Sequence, residues 1–109
     1  RVYLAGLSMG GFGVWDLLAR RPQFFAAAIP VCGGGDIATA NVIKGTPIWA
    51  FHGADDVVVK PRRSRDMVRA LRAVGGQPKY TEYEDVGHDA WTLAFADSEV
   101  MAWMFSQSK

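Results

Sequence analysis

Three short runs of this chain are apolar at consecutive positions: Val2-Tyr3-Leu4-Ala5, Ala26-Ala27-Ala28-Ile29-Pro30-Val31-Cys32 and Pro47-Ile48-Trp49-Ala50-Phe51. A strand with one wet face alternates apolar and polar residues, so runs without alternation need cover on both faces, as in a parallel sheet between layers of helices. The intervening segments supply that cover. Val14, Leu17 and Leu18 lie at helical spacing before Arg20-Arg21-Pro22 ends the pattern. From Pro61 to Val74 the residues Met67, Val68, Leu71 and Val74 recur at helical spacing among Arg62, Arg63, Arg65, Arg69 and Arg72, until Gly75-Gly76 stops the helix. A more polar strand at Lys79 to Asp85 suits a sheet edge, and a last helix is predicted from Asp97 as N-cap, with Val100, Trp103 and Met104 inward. The fold class is α/β. Val2 to Ala5 carries no charge, proline or bulge signal that would protect an edge, so it reads as an internal strand with a neighbour upstream.

Twelve Lys+Arg against eleven Asp+Glu give a formal charge of +1, so no basic nucleic-acid surface is expected. Half of the 109 residues are hydrophobic and 21% are charged, the balance of a folded domain and not of a disordered segment. No apolar run reaches the roughly 18 to 20 residues that span a bilayer. Cys32 has no partner for an intrachain disulfide, and one cysteine with two histidines is too few for a structural zinc site, so no metal is expected.

Gly6-Leu7-Ser8-Met9-Gly10 matches G-x-S-x-G at the junction of the first strand and first helix, the context in which that motif presents a nucleophile. Such a turn is strained, and Gly6 and Gly10 are expected to be small because a side chain there would meet the neighbouring strand or helix. Ser8 would stand at the carboxyl edge of the sheet. The Met9 N–H, at the helix start and free of intrahelical bonds, would then face an oxyanion. The bland alternative is a serine that merely caps the helix. A phosphate-binding turn fits less well, since Gly11-Phe12-Gly13-Val14-Trp15-Asp16 lacks the last glycine of G-x-G-x-x-G and no Lys-Ser/Thr follows.

A serine nucleophile needs a general base, and the base an orienting acid, in the chain order serine, acid, histidine on a sheet of this kind. Asp55 and Asp56 follow the third strand, and His88 follows the fourth, all at strand carboxyl ends whose loops converge on Ser8. Asp85 and Asp89, beside the histidine, are reserve acids.

The segments Gly6-Leu7-Ser8-Met9-Gly10-Gly11, His52-Gly53-Ala54-Asp55-Asp56-Val57-Val58-Val59 and Gly87-His88-Asp89-Ala90-Trp91 together resemble the nucleophile, acid and histidine segments of α/β-hydrolases. The likeness spans essentially the whole chain. Within that superfamily the chain resembles the esterase and "predicted peptidase" group related to prolyl oligopeptidases, feruloyl esterases and polyhydroxybutyrate depolymerases, where Cys-Gly-Gly-Gly-Asp after a strand, as at Cys32 to Asp36, is also familiar. The resemblance implies an α/β-hydrolase fold of which only the carboxyl-terminal strands are present, with residues 1–109 as the carboxyl-terminal part of a single catalytic domain. It implies a serine hydrolase that cleaves small-molecule or polymer-linked carboxylic esters through an acyl-enzyme, with no cofactor. Ser8 would be the nucleophile, His88 the base and then acid, and the Met9 N–H one oxyanion donor, the second lying on an upstream loop.

In the family pattern His-Gly-x-x-Asp the acid is the fifth residue, which falls on Asp56 and leaves Asp55 as a polar neighbour, with His52 supporting the loop. Trp91, three residues after the base, is expected at the pocket mouth against the acyl or leaving group, or packed under the last helix. Trp15, Trp49 and Trp103 read as core, Cys32 as a small buried wall residue, and the arginines from Arg62 to Arg72 as a solvated face. A peptidase of the prolyl oligopeptidase type and a cofactor-free perhydrolase use the same triad, and a non-catalytic binding domain keeps the same fold. Self-association through the exposed first strand is expected of the isolated chain.

Overall fold

The computed structural model describes residues 1–108. Strands β1 (Tyr3–Leu7), β2 (Ala27–Val31), β3 (Trp49–Gly53) and β4 (Lys79–Tyr83) form one parallel sheet in the order β1-β2-β3-β4. Parallel neighbours need crossovers. These are α1 (Met9–Arg20), then a 3₁₀ turn (Ile37–Thr39) running into α2 (Ala40–Ile43), then α3 (Arg62–Ala73). All three step in the same direction along the sheet, so right-handed crossovers put them on one face. The chain after β4 covers the other face with α4 (Trp91–Ala96) and α5 (Ser98–Ser106).

Two cores follow from the pleat. On one face Val14, Trp15 and Leu18 of α1 and Met67, Val68 and Leu71 of α3 pack over Ala28, Ile48 and Ala50. On the other, Ala94, Val100 and Met104 pack over Ala27, Ile29, Val31 and Phe51. β2, in the middle of the sheet, is wholly buried, as its unbroken apolar run requires. It also carries Pro30, which has no N–H to give to a ladder. Toward β3, the Ala28 N–H donates to Pro47 O, just before that strand, at 3.0 Å, and the Cys32 N–H, just past β2, to Phe51 O at 2.9 Å. By that period the missing donor belongs to Pro30, so the β2–β3 pairing is interrupted while β1–β2 continues past it through Gly6 and Leu7.

The structure differs from the sequence expectations at several ends. β1 runs on to Leu7; among the described residues it pairs with β2, which leaves its other side open as the expected upstream neighbour requires. β3 begins and ends two residues later than the apolar run and takes in His52 and Gly53, because both pair with β4, opposite Glu82 and Tyr83. Two short helical segments, Ile37–Ile43 and Trp91–Ala96, stand where no helix was expected; α4 has no side-chain cap to announce it. Asp97 does cap the last helix, its carboxylate accepting from the Glu99 N–H at 2.9 Å.

Candidate active site

Ser8 sits on the turn between β1 and α1 with φ 55° and ψ −118°, a left-handed φ that non-glycine residues rarely adopt. Two backbone bonds hold it there. Its N–H donates to Val31 O at 2.9 Å, prolonging the β1–β2 ladder, and its carbonyl accepts from Phe12 N–H at 3.1 Å. The hydroxyl caps no N–H of α1, so the capping alternative fails; it lies 2.8 Å from His88 Nε2 instead. A Cβ on Gly6 would come 2.4 Å from the Gly10 carbonyl oxygen, as expected of a tight elbow. Gly10 corrects the expectation, since a Cβ there would meet nothing within 4 Å. One residue on, the helix has turned by about 100° and faces the sheet. The steric demand therefore falls on Gly11, whose Cβ would lie 2.5 Å from Val31 O. Met9 follows as the first residue of α1, with its side chain in solvent and its N–H at the helix start, where no preceding turn supplies a carbonyl.

His88 lies between β4 and α4, and Asp56 in the loop after β3. The His88 Nδ1–H donates to Asp56 Oδ2 at 2.7 Å, which leaves Nε2 to accept from the Ser8 hydroxyl. Asp56 Oδ1 accepts the N–H groups of Val58 and Val59, both at 2.9 Å. Burial works to raise the Asp56 pKa, but the hydrogen bonds from His88, Val59 and Val58 outweigh it, and the carboxyl lies below its ordinary value. Asp55, Asp85 and Asp89 are all exposed, so the geometry brings Asp56 alone of the four acids to the histidine.

The two loops are pressed together. Ala54 N–H donates to Tyr83 O and Asp55 N–H to Val86 O, both at 2.9 Å, and a Cβ on Gly53 would sit 2.1 Å from Gly87 O. Cys32 adds a tie that the sequence did not suggest: its buried thiol donates to the carbonyl of His88 itself at 3.3 Å. Burial and the neighbouring charge of Asp56 push that thiol up to about 11. Trp91 meets the His88 ring edge to face at 5.5 Å and also packs on the α4–α5 core, so it forms one wall beside that ring.

His52 is fully buried, as a loop support should be. Its Nδ1 lies 2.7 Å from Ser64 Oγ, its Nε2 2.8 Å from Val59 O and 3.3 Å from Asp56 Oδ2. Ser64, on the buried side of the arginine-rich helix, was missed by the sequence reading; its small polar side chain among arginines carried no signal. Cys32, His52 and Asp56 bring potential metal-binding atoms within 4.8 Å of one another. Each is otherwise engaged, the thiol as a protonated donor, His52 with Val59 and Asp56 with His88, which suits a hydrogen-bonded support better than a metal site.

Comparison with solved structures gives close matches. A thermostable esterase superposes with a TM-score of 0.97 at 44% identity over 100% of this chain and 31% of its own. SOBER1 from Arabidopsis thaliana matches with a TM-score of 0.73 at 21% identity, over 96% of this chain and 50% of its own. An acylaminoacyl peptidase from Pyrococcus horikoshii matches at 0.74 and 16% identity, over 81% of this chain and 20% of its own. The chain thus spans about a third of the esterase and half or less of the other two. No protein-family model matches it, and no curated protein does.

Proposed function

We propose that this chain, which has the α/β-hydrolase fold, is part of the catalytic domain of a serine hydrolase acting on carboxylic esters. The observation that carries the reading is the unbroken relay from Ser8 Oγ through His88 to Asp56, at 2.8 and 2.7 Å, on a serine whose backbone is strained toward it. In this reading His88 Nε2 takes the Ser8 proton as Oγ attacks the ester carbonyl, and Asp56 stabilises the imidazolium that forms. The Met9 N–H stabilises the tetrahedral oxyanion, with a second donor from outside this chain. His88 then protonates the leaving alcohol, and a water activated by the same histidine releases the acyl group. The esterase at 44% identity supports an ester substrate over an amide; the peptidase, at 16%, supports the fold alone.

A fluorophosphonate probe and paired assays on p-nitrophenyl esters and peptide amides test this on the full-length protein. Expected are labelling at Ser8, faster turnover of esters, and a loss of about 10⁴ to 10⁶ in kcat for Ser8→Ala. Labelling that survives Ser8→Ala would overturn the triad, and faster amide cleavage would replace the esterase by a peptidase.

A further inference from the structure

The buried hydrogen-bond chain does not stop at Asp56. His52 Nε2 faces two acceptors, Val59 O at 2.8 Å and Asp56 Oδ2 at 3.3 Å, and a carbonyl and a carboxylate can only be met by a nitrogen that carries hydrogen. Nδ1 faces Ser64 Oγ at 2.7 Å, in a pocket where both side chains have no solvent access. Burial lowers the His52 pKa, more than the carbonyl of Val59 and the charge of Asp56 raise it, which favours a neutral ring. A neutral ring with hydrogen on Nε2 needs a donor at Nδ1, and Ser64 is that donor. The hydroxyl has a second acceptor available, Gly33 O at 3.4 Å, but turning its hydrogen there would leave two lone pairs face to face at 2.7 Å.

We infer that Ser64, on the buried face of α3, is a positioning residue for the triad acid: by donating to His52 Nδ1 it anchors the ring whose Nε2–H steadies both the carbonyl of Val59 and the carboxylate of Asp56. The inference rests on the triad reading above. Its consequence is a run of five side chains, Ser64, His52, Asp56, His88 and Ser8, in which each hydrogen has one place to be. Without the Ser64 hydroxyl, the bare Nδ1 is a buried acceptor that has lost its donor, and the ring, held from one side only, can shift and carry Nε2–H off Val59 O and Asp56 together. Asp56 would be displaced from the position that holds His88, with Val59, whose N–H also binds it, moving too.

The protein labelled with ¹⁵N-histidine reports this directly, with the His52 resonances assigned by substitution. In the wild type, His52 should show a protonated Nε2 and a bare Nδ1. In Ser64→Ala the bare Nδ1 resonance should move as its hydrogen bond is lost, and kcat should fall by about 10²-fold, the penalty of a catalytic group misplaced by about 1 Å, with KM within about twofold. Ser64→Cys, a weaker donor in the same place, should fall between the two. A wild-type His52 that is doubly protonated, or protonated on Nδ1 alone, overturns the inference whatever the kinetics. So does a Ser64→Ala enzyme with unchanged kcat. Should Ser64→Ala fail to fold, the wild-type tautomer and the kcat of Ser64→Cys decide it, a wild-type kcat counting against. Failure of the triad reading is separate, since it shows as fluorophosphonate labelling that survives Ser8→Ala while the His52 tautomer stays as stated.

Discussion

Gly53→Ala is a one-methyl change outside the triad, yet it should strike the catalytic geometry. Gly53 ends β3 against the loop that carries His88, and a Cβ built there would lie 2.1 Å from Gly87 O, 2.3 Å from Val86 O and 2.8 Å from the Val86 carbonyl carbon. All three neighbours are backbone, so no side chain can swing aside. Restoring ordinary contact, at 3.4 Å or more, moves Gly87 away by at least about 1.3 Å. Gly87 is bonded to His88, whose two hydrogen bonds, at 2.8 and 2.7 Å, cannot both survive such a shift. A displacement of that size costs about 10²-fold in rate, and the overpacking itself about 1 to 3 kcal/mol of stability. Ester hydrolysis and a thermal melt on the same preparation measure both. A variant with wild-type kcat and an unshifted melt would refute the reasoning, because it would mean that the contact between the two loops is slack.

Two further outcomes are expected. Asp56→Asn should lower kcat by about 10⁴-fold, as loss of the carboxylate that fixes a catalytic histidine does, whereas Asp55→Asn, at an exposed position with no bond to His88, should stay near wild type; a steady-state ester assay ranks them, and the reverse order moves the acid to Asp55. Cys32, buried and with its pKa pushed up to about 11, should react with a thiol reagent at pH 8 only as the protein unfolds, since about one thiol in 10³ would be ionised even if it were reachable. Native-state labelling at the rate of a free thiol would contradict the burial.

The elements were legible wherever one residue type does one job. Apolar runs marked β1 and β2, the spacing of Met67, Val68 and Leu71 marked α3, and Gly6-Leu7-Ser8-Met9-Gly10 marked the elbow. What escaped depends on residues that mean different things in different surroundings. His52 reads as the polar end of an apolar run, but it belongs to β3 because Ser64 and Val59 satisfy both its nitrogens inside the fold. The glycine that lets α1 approach β2 is Gly11, one residue past the motif, and only the phase of the helix against the strand tells the two apart. Ser64 shares its helix with five arginines, and its role depends on a partner twelve residues away in a different element.

The hydroxyl of Ser8 and the ring of His88 meet across 80 positions of the chain. On the ribosome the serine therefore emerges well before that histidine, by roughly 4 to 16 s at synthesis rates of about 5 to 20 residues per second. Until the loop after β4 docks, the contact between that hydroxyl and the His88 ring cannot form. If Ser8 is the nucleophile proposed above, it is paired with its base only when the last strand of the sheet is in place.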